Sequence, residues 1–261
     1  MAVCEIVKIM RKTLVYRCKL RFTVQKLLLK LFCSGATARA ASAVVGVQHN
    51  TAKLFFRKLR EVIRIERERE RLEKIAGTVA IDEAYFQGFG KARRLRGRNS
   101  QGKIPVIGAC QIHNGKKRVR IERIPAAKSE ILTDFAERTV FPGAVIHTDS
   151  FKGYNHLKHS GFAHFRVNHS KEYKAKNGAC TNAIESVWSA CRRHFVRFCG
   201  GYRHRIGDFL AEMEMRFESG VLNFYRDLSA ILLKKTHKTP SKIVSRVSER
   251  MFSRAKIPET V

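Results

Sequence analysis

The chain has 261 residues, enough for one sizeable domain or two small ones. Hydrophobic residues make up 44%, which supports a packed core and excludes a wholly disordered chain. Lys and Arg number 52 against 22 Asp and Glu, a formal net charge of +30 that points to a polyanionic partner, nucleic acid first. Aromatic residues in regular basic runs are too few for a stacking platform for single strands.

Residues 1–22, "MAVCEIVKIMRKTLVYRCKLRF", form a basic extension without the compact apolar core of a secretory signal. Leucines at helical spacing mark "TVQKLLLKLFC" at 23–33 as a helix, and "SG" breaks it. Thr37 suits the cap of a second helix, "ARAASAVV", which stops at Gly46. After the turn "VQHN", the stretch "TAKLFFRKLREVI" reads as a third helix with a stripe of Leu54, Phe55, Lys58, Leu59 and Val62. Helix, Gly-containing turn and basic helix is the layout of a helix-turn-helix, with Gln48, His49, Asn50 and Lys53 at the start of a recognition helix. An ordinary three-helix bundle fits the same pattern; the net charge favours DNA binding. "RIERERERLEK" at 64–74 alternates in sign and reads as a solvated face that extends the third helix as a connector.

From residue 78 the character changes. "TVAIDEAYF" is a β-branched run holding a carboxylate pair, and "KARRLRGRNSQGK" is a basic loop in which Arg93, Arg94, Arg96 and Arg98 suit phosphate contacts. "IPVIGACQI" and "RVRIERI" are strands joined by the hairpin "HNGKK". Then follow the amphipathic helix "KSEILTDFAERTV", the strand "AVIHTDSF", a helix around "NHLKHSGF", the strand "HFRVNHS", a polar loop and the helix "TNAIESVWSACRRHF". That order predicts an α/β fold, a ribonuclease H-like mixed sheet with flanking helices, preceded by an all-α helix-turn-helix domain. Residues 206–233 read as one or two more helices, and the tail from 234 is basic. The boundaries expected are a basic extension over 1–22, the helix-turn-helix and connector over 23–76, the catalytic domain over 77–220, and a C-terminal helix with its tail over 221–261.

Seven cysteines, an odd count with no C-x-x-C pair, exclude a disulfide framework or zinc ribbon and fit a reducing compartment. No apolar run is long enough to cross a bilayer. Three carboxylates stand out by position: Asp82 within the first strand, Asp149 at the end of a later one, and Glu185 at a helix start. Glu83 faces away from Asp82 on an extended strand. Three acids at one sheet edge repel unless a cation neutralises them, and hard divalent cations take oxygen ligands. Glu185 alone also fits a helix-dipole charge, and Arg192 a surface charge. Trp188 reads as core, holding the Glu185 helix against the sheet. His147, His169 and His194 lie near these stretches as structural or phosphate-facing residues.

"IDEAYFQG" at 81–88, "HTDSFKGYNHL" at 147–157, "FRVNHS" at 165–170 and "NAIESVWSACRRHFVRF" at 182–198 resemble one family. It is the DDE-superfamily bacterial insertion-sequence transposases related to eukaryotic Merlin transposons. The resemblance implies that Asp82, Asp149 and Glu185 are the catalytic acids, holding two Mg2+ ions with Mn2+ as a substitute. The 35 residues between Asp149 and Glu185 suit that superfamily. Arg192 stands where the family usually has lysine, and Arg193 beside it is a further candidate for DNA contact. The implied activity is cleavage of DNA at terminal inverted repeats and strand transfer to target DNA by in-line phosphoryl transfer. A homodimer or larger assembly on double-stranded DNA is implied because two ends must be joined. The implied location is the nucleoid of a bacterial cytoplasm, or the nucleus in a eukaryotic host, with no membrane. The alternative is a catalytically inactive, transposase-derived DNA-binding protein.

Overall fold

The computed structural model describes residues 14–15, 18–87, 102–113, 115–167 and 180–235. Arg93, Arg94, Arg96, Arg98 and His169 lie outside them, as do nearly all of the basic extension and the tail from 236.

Three N-terminal helices fall where helical periodicity places them: α1 (Phe22–Cys33), α2 (Ala38–Val45) and α3 (His49–Glu70). The Thr37 hydroxyl accepts from the Ala40 N–H at 3.2 Å, which caps α2, and Gly46 ends it at φ 71, a left-handed conformation glycine adopts without strain. The α3 stripe departs from expectation. Phe55 and Leu59 of the expected stripe are buried, but Leu54 is exposed, and Phe56 and Ile63 complete the buried side.

The sheet has strands β1 (Thr78–Gln87), β2 (Lys103–His113), β3 (Lys116–Arg123), β4 (Val145–Asp149) and β5 (Ala163–Val167) in the order β3-β2-β1-β4-β5. β1 runs antiparallel to β2, as β2 does to β3, while β1–β4 and β4–β5 are parallel. This mixed five-stranded sheet with helices on both faces is consistent with the ribonuclease H-like expectation.

One face buries Val79, Ile81 and Ile107 against Leu132 and Phe135 of α4 (Ser129–Thr139) and against Tyr154 and Leu157. The last two sit on Lys152–His159, a 3-10 segment where an α-helix was expected. Their i,i+3 spacing stacks on one side of a three-residue turn, so the 3-10 form buries both. The other face buries Ala80, Ala84, Phe86 and Val106 against α5 (Asn182–Phe195) and the first half of α6 (Ile206–Lys235). A fully buried Val, Leu, Ile or Phe among them contributes about 1.5–3 kcal/mol, an alanine less.

Gly220, at φ 69, breaks α6. Beyond it, Phe224, Leu228 and Leu232 share a core with Leu28, Phe32, Phe56 and Leu59 of α1 and α3. The N-terminal helices therefore complete their core with the end of the described chain.

The alternating stretch at 64–74 is solvated on one side only: Arg69, Glu73 and Lys74 are exposed, and the other side faces α6. Arg67 is buried, with Nε 3.2 Å from Glu214 and a terminal nitrogen 2.7 Å from Glu218, both on α6. Upstream on α3, Arg60 Nε lies 2.6 Å from Glu212, which also takes Arg216 at 2.7 Å. Glu214 and Glu218 also accept the backbone N–H groups of Ile121 and Val119. Those groups belong to the edge strand β3, so the same acids protect a sheet edge from pairing elsewhere.

Candidate active site

The β1–β4 register sets Ala80 opposite His147, so two residues further on Asp82 is level with Asp149 at the end of β4. Asp82 pairs with Gly108 across β1–β2. A Cβ at Gly108 would lie 2.6 Å from Trp188 and 2.9 Å from Ile184, so this glycine lets α5 sit against the sheet beside Asp82. The predicted stripe of Ile184, Val187, Trp188, Cys191 and Phe195 is fully buried there. That packing fixes the start of α5, where Glu185 is exposed.

The three acids line one cleft. It has a volume of about 310 Å³ and is bounded by Asp82, Asp149, Thr181, Glu185, Trp188, Ser189 and Arg192. The Thr181 hydroxyl donates to Glu185 Oε1 at 2.7 Å, and the Phe151 N–H to Asp149 Oδ1 at 2.9 Å. The Trp188 indole N–H donates to Asp82 Oδ2 at 3.0 Å. Burial, then the charges of Glu83 and Asp149, push the Asp82 carboxyl up to about 7, against the pull of the Trp188 hydrogen bond. Arg192, two turns after Glu185, brings the cleft a guanidinium.

Glu83 faces away from Asp82 as expected, toward the α4 face, where the Tyr154 hydroxyl donates to it at 2.9 Å. One oxygen each of Asp82, Glu83 and Asp149 nevertheless lie within 4.8 Å of one another. The missed signal was the adjacency itself. Where β1 passes the end of β4, neighbouring carboxylates on opposite faces both reach the edge. Thr181, which precedes α5, and Ser189 within it also line the cleft, and a lone hydroxyl carries no pattern of its own. This cluster consists of carboxylate oxygens, without imidazole or thiolate, a donor set that fits a hard divalent cation rather than zinc or copper.

The other candidates are dispersed. His147 Nδ1 accepts the Cys180 N–H at 3.2 Å and links β4 to the residues just before α5; burial lowers its pKa. His194 is buried, with Nε2 3.2 Å from Glu212. Arg193 is exposed and is not among the residues lining the cleft. Gln48, His49, Asn50 and Lys53 are all exposed at the start of α3, away from the cleft lining. Among the described residues, no helix is long and apolar enough to cross a membrane.

Residues 74–218, slightly more than half the chain, match the model of a family described as the ISXO2-like transposase domain. The matched span holds Asp82, Asp149, Glu185 and Arg192. The chain is also similar to an uncharacterized transposase-like protein of Haemophilus influenzae, 33% identical over 96 residues that cover 37% of this chain and 77% of the relative.

Proposed function

The chain belongs to the family of ISXO2-like transposase domains, and on that premise we propose that it is the DNA transposase of an insertion sequence, cutting DNA at the element's terminal inverted repeats and joining it to target DNA. The observation that carries this is the single cleft that gathers Asp82 from β1, Asp149 from β4, and Glu185 and Arg192 from α5. Asp82, Asp149 and Glu185 would hold the divalent cations, Mg2+ by donor chemistry and Mn2+ as substitute. Bound there, such ions supply Lewis-acid polarisation of the scissile phosphate and a bound water of lowered pKa.

The protein's own groups do the positioning. Thr181 orients the Glu185 carboxylate. Arg192 takes a phosphate oxygen with a planar fork in place of the point charge of a lysine. The buried face of α5 keeps both at a fixed distance from the sheet. A Ser or Tyr nucleophile is not needed, because water and then a 3′-hydroxyl are the attacking groups.

Helices α2 and α3 act as a helix-turn-helix on the inverted repeats, with Gln48, His49, Asn50 and Lys53 toward the bases and phosphates. Arg93, Arg94, Arg96, Arg98 and Arg193 contribute phosphate contacts. Joining two ends requires a dimer or larger assembly on the DNA. The kinship with Merlin transposons rests on the resemblance of the motifs.

The test is cleavage by purified protein, with Mg2+, of DNA carrying the inverted repeats that flank the gene. The expected product has free 3′-hydroxyl ends. Glu185→Gln is expected to lower the rate by more than about 100-fold, the upper end of what losing a mere supporting residue costs. Unchanged cleavage by that variant would remove Glu185 from the site.

A further inference from the structure

The geometry points to Trp188 as a positioning residue for Asp82: its indole N–H holds one carboxylate oxygen and so presents the other to the cleft. The inference rests on the divalent-cation reading of that cleft. The donor is a single N–H with no acceptor on the ring, 3.0 Å from Asp82 Oδ2. Trp188 is 2% exposed. Its six-membered ring lies directly over Gly108, the residue paired with Asp82 on the neighbouring strand. Phe86 meets it edge-on, with ring centroids 6.2 Å apart. The indole therefore has one orientation, and that orientation aims its N–H at Asp82.

Filling the α5 stripe does not require this donor. Phenylalanine would bury a similar apolar surface, as Phe195 does two turns on. What tryptophan adds is a fixed hydrogen bond to a carboxylate that faces a cation site. Such supporting partners orient the groups that hold a metal and typically change its affinity 10- to 100-fold. Trp188 is also one turn from Glu185, so the same ring ties α5 to β1 and sets Glu185 relative to Asp82.

This is the chain's sole tryptophan, so its indole gives one 15N–1H resonance in the labelled full-length protein. That resonance is expected to move on adding Mg2+, and to move in Asp82→Asn without metal. Mn2+ affinity by calorimetry is expected to fall about 10-fold or more in Trp188→Phe. The same fall is expected when Trp188 is replaced by benzothienylalanine, which keeps the bicyclic shape and lacks the N–H, so that misfolding is not the cause. Wild-type Mn2+ affinity in both substituted proteins would overturn the inference while leaving the cation site standing. A wild-type protein that binds no Mn2+ would overturn the cation reading and this inference together.

Discussion

Two clusters of carboxylates among the described residues are balanced in opposite ways. On α6, Glu212 meets Arg60 and Arg216, while Glu214 and Glu218 meet Arg67. In the cleft, Asp82 meets a neutral indole N–H and the charges of Glu83 and Asp149. The consequences are opposite too. Burial alone would raise the Glu212 carboxyl, but Arg60, Arg216 and His194 draw it well below the usual carboxylate range. Asp82 is driven up to about 7. Buried acids that join helices have arginines built in beside them, whereas Asp82 has acids beside it, which on the proposed function a cation from solution would offset.

The largest effect that could break this contrast is on stability. Glu212→Gln leaves the buried Arg60 and the half-buried Arg216 without their carboxylate and is expected to cost about 3–5 kcal/mol in urea unfolding. A loss under about 1 kcal/mol would mean that the network is solvated after all. Next, Mg2+ at about 100 times its dissociation constant is expected to stabilise the protein by about 2.7 kcal/mol, read as a rise in Tm. Asp82→Asn should abolish that rise and Arg67→Lys should not.

Smaller still is the effect of pH without divalent ions. Folding raises the Asp82 pKa from 3.8 to about 7, so its contribution to stability is intact below about pH 4 and is lost as pH rises through about 7. Asp82→Asn has no charge to bury. It is expected to exceed the wild type by about 2 kcal/mol at pH 8, allowing for the partial exposure of the group, and to converge with it near pH 4. Equal stability at pH 8 would show that the carboxylate is relieved by some other route.

Much of the cleft was legible because it depends on local periodicity. The α5 stripe follows from a 3.6-residue repeat, and Asp149 from a strand that ends in an acid, while the 2-residue repeat of β1 sets Asp82 and Glu83 on opposite faces without telling which of them the cleft takes. The order of elements gave the sheet. The ionic network was illegible because its partners lie far apart: Arg60 and Glu212 are 152 residues apart, and neither neighbourhood names the other. Alternating charge looks the same whether water or a second helix faces it. The sharing of α6 between the sheet and the N-terminal helices was hidden likewise, since a break at Gly220 resembles an end. The Trp188 hydrogen bond escaped notice because an apolar stripe conceals the one polar atom of its indole.

One cleavage experiment addresses both clusters: DNA bearing the terminal inverted repeats, Mg2+, and the variants Asp149→Asn and Glu218→Gln beside the wild type, below the unfolding temperature of each. The expected result is 3′-hydroxyl ends from the wild type and from Glu218→Gln, and none from Asp149→Asn. Equal cleavage by the wild type and Asp149→Asn would contradict a metal-dependent site between β1, β4 and α5.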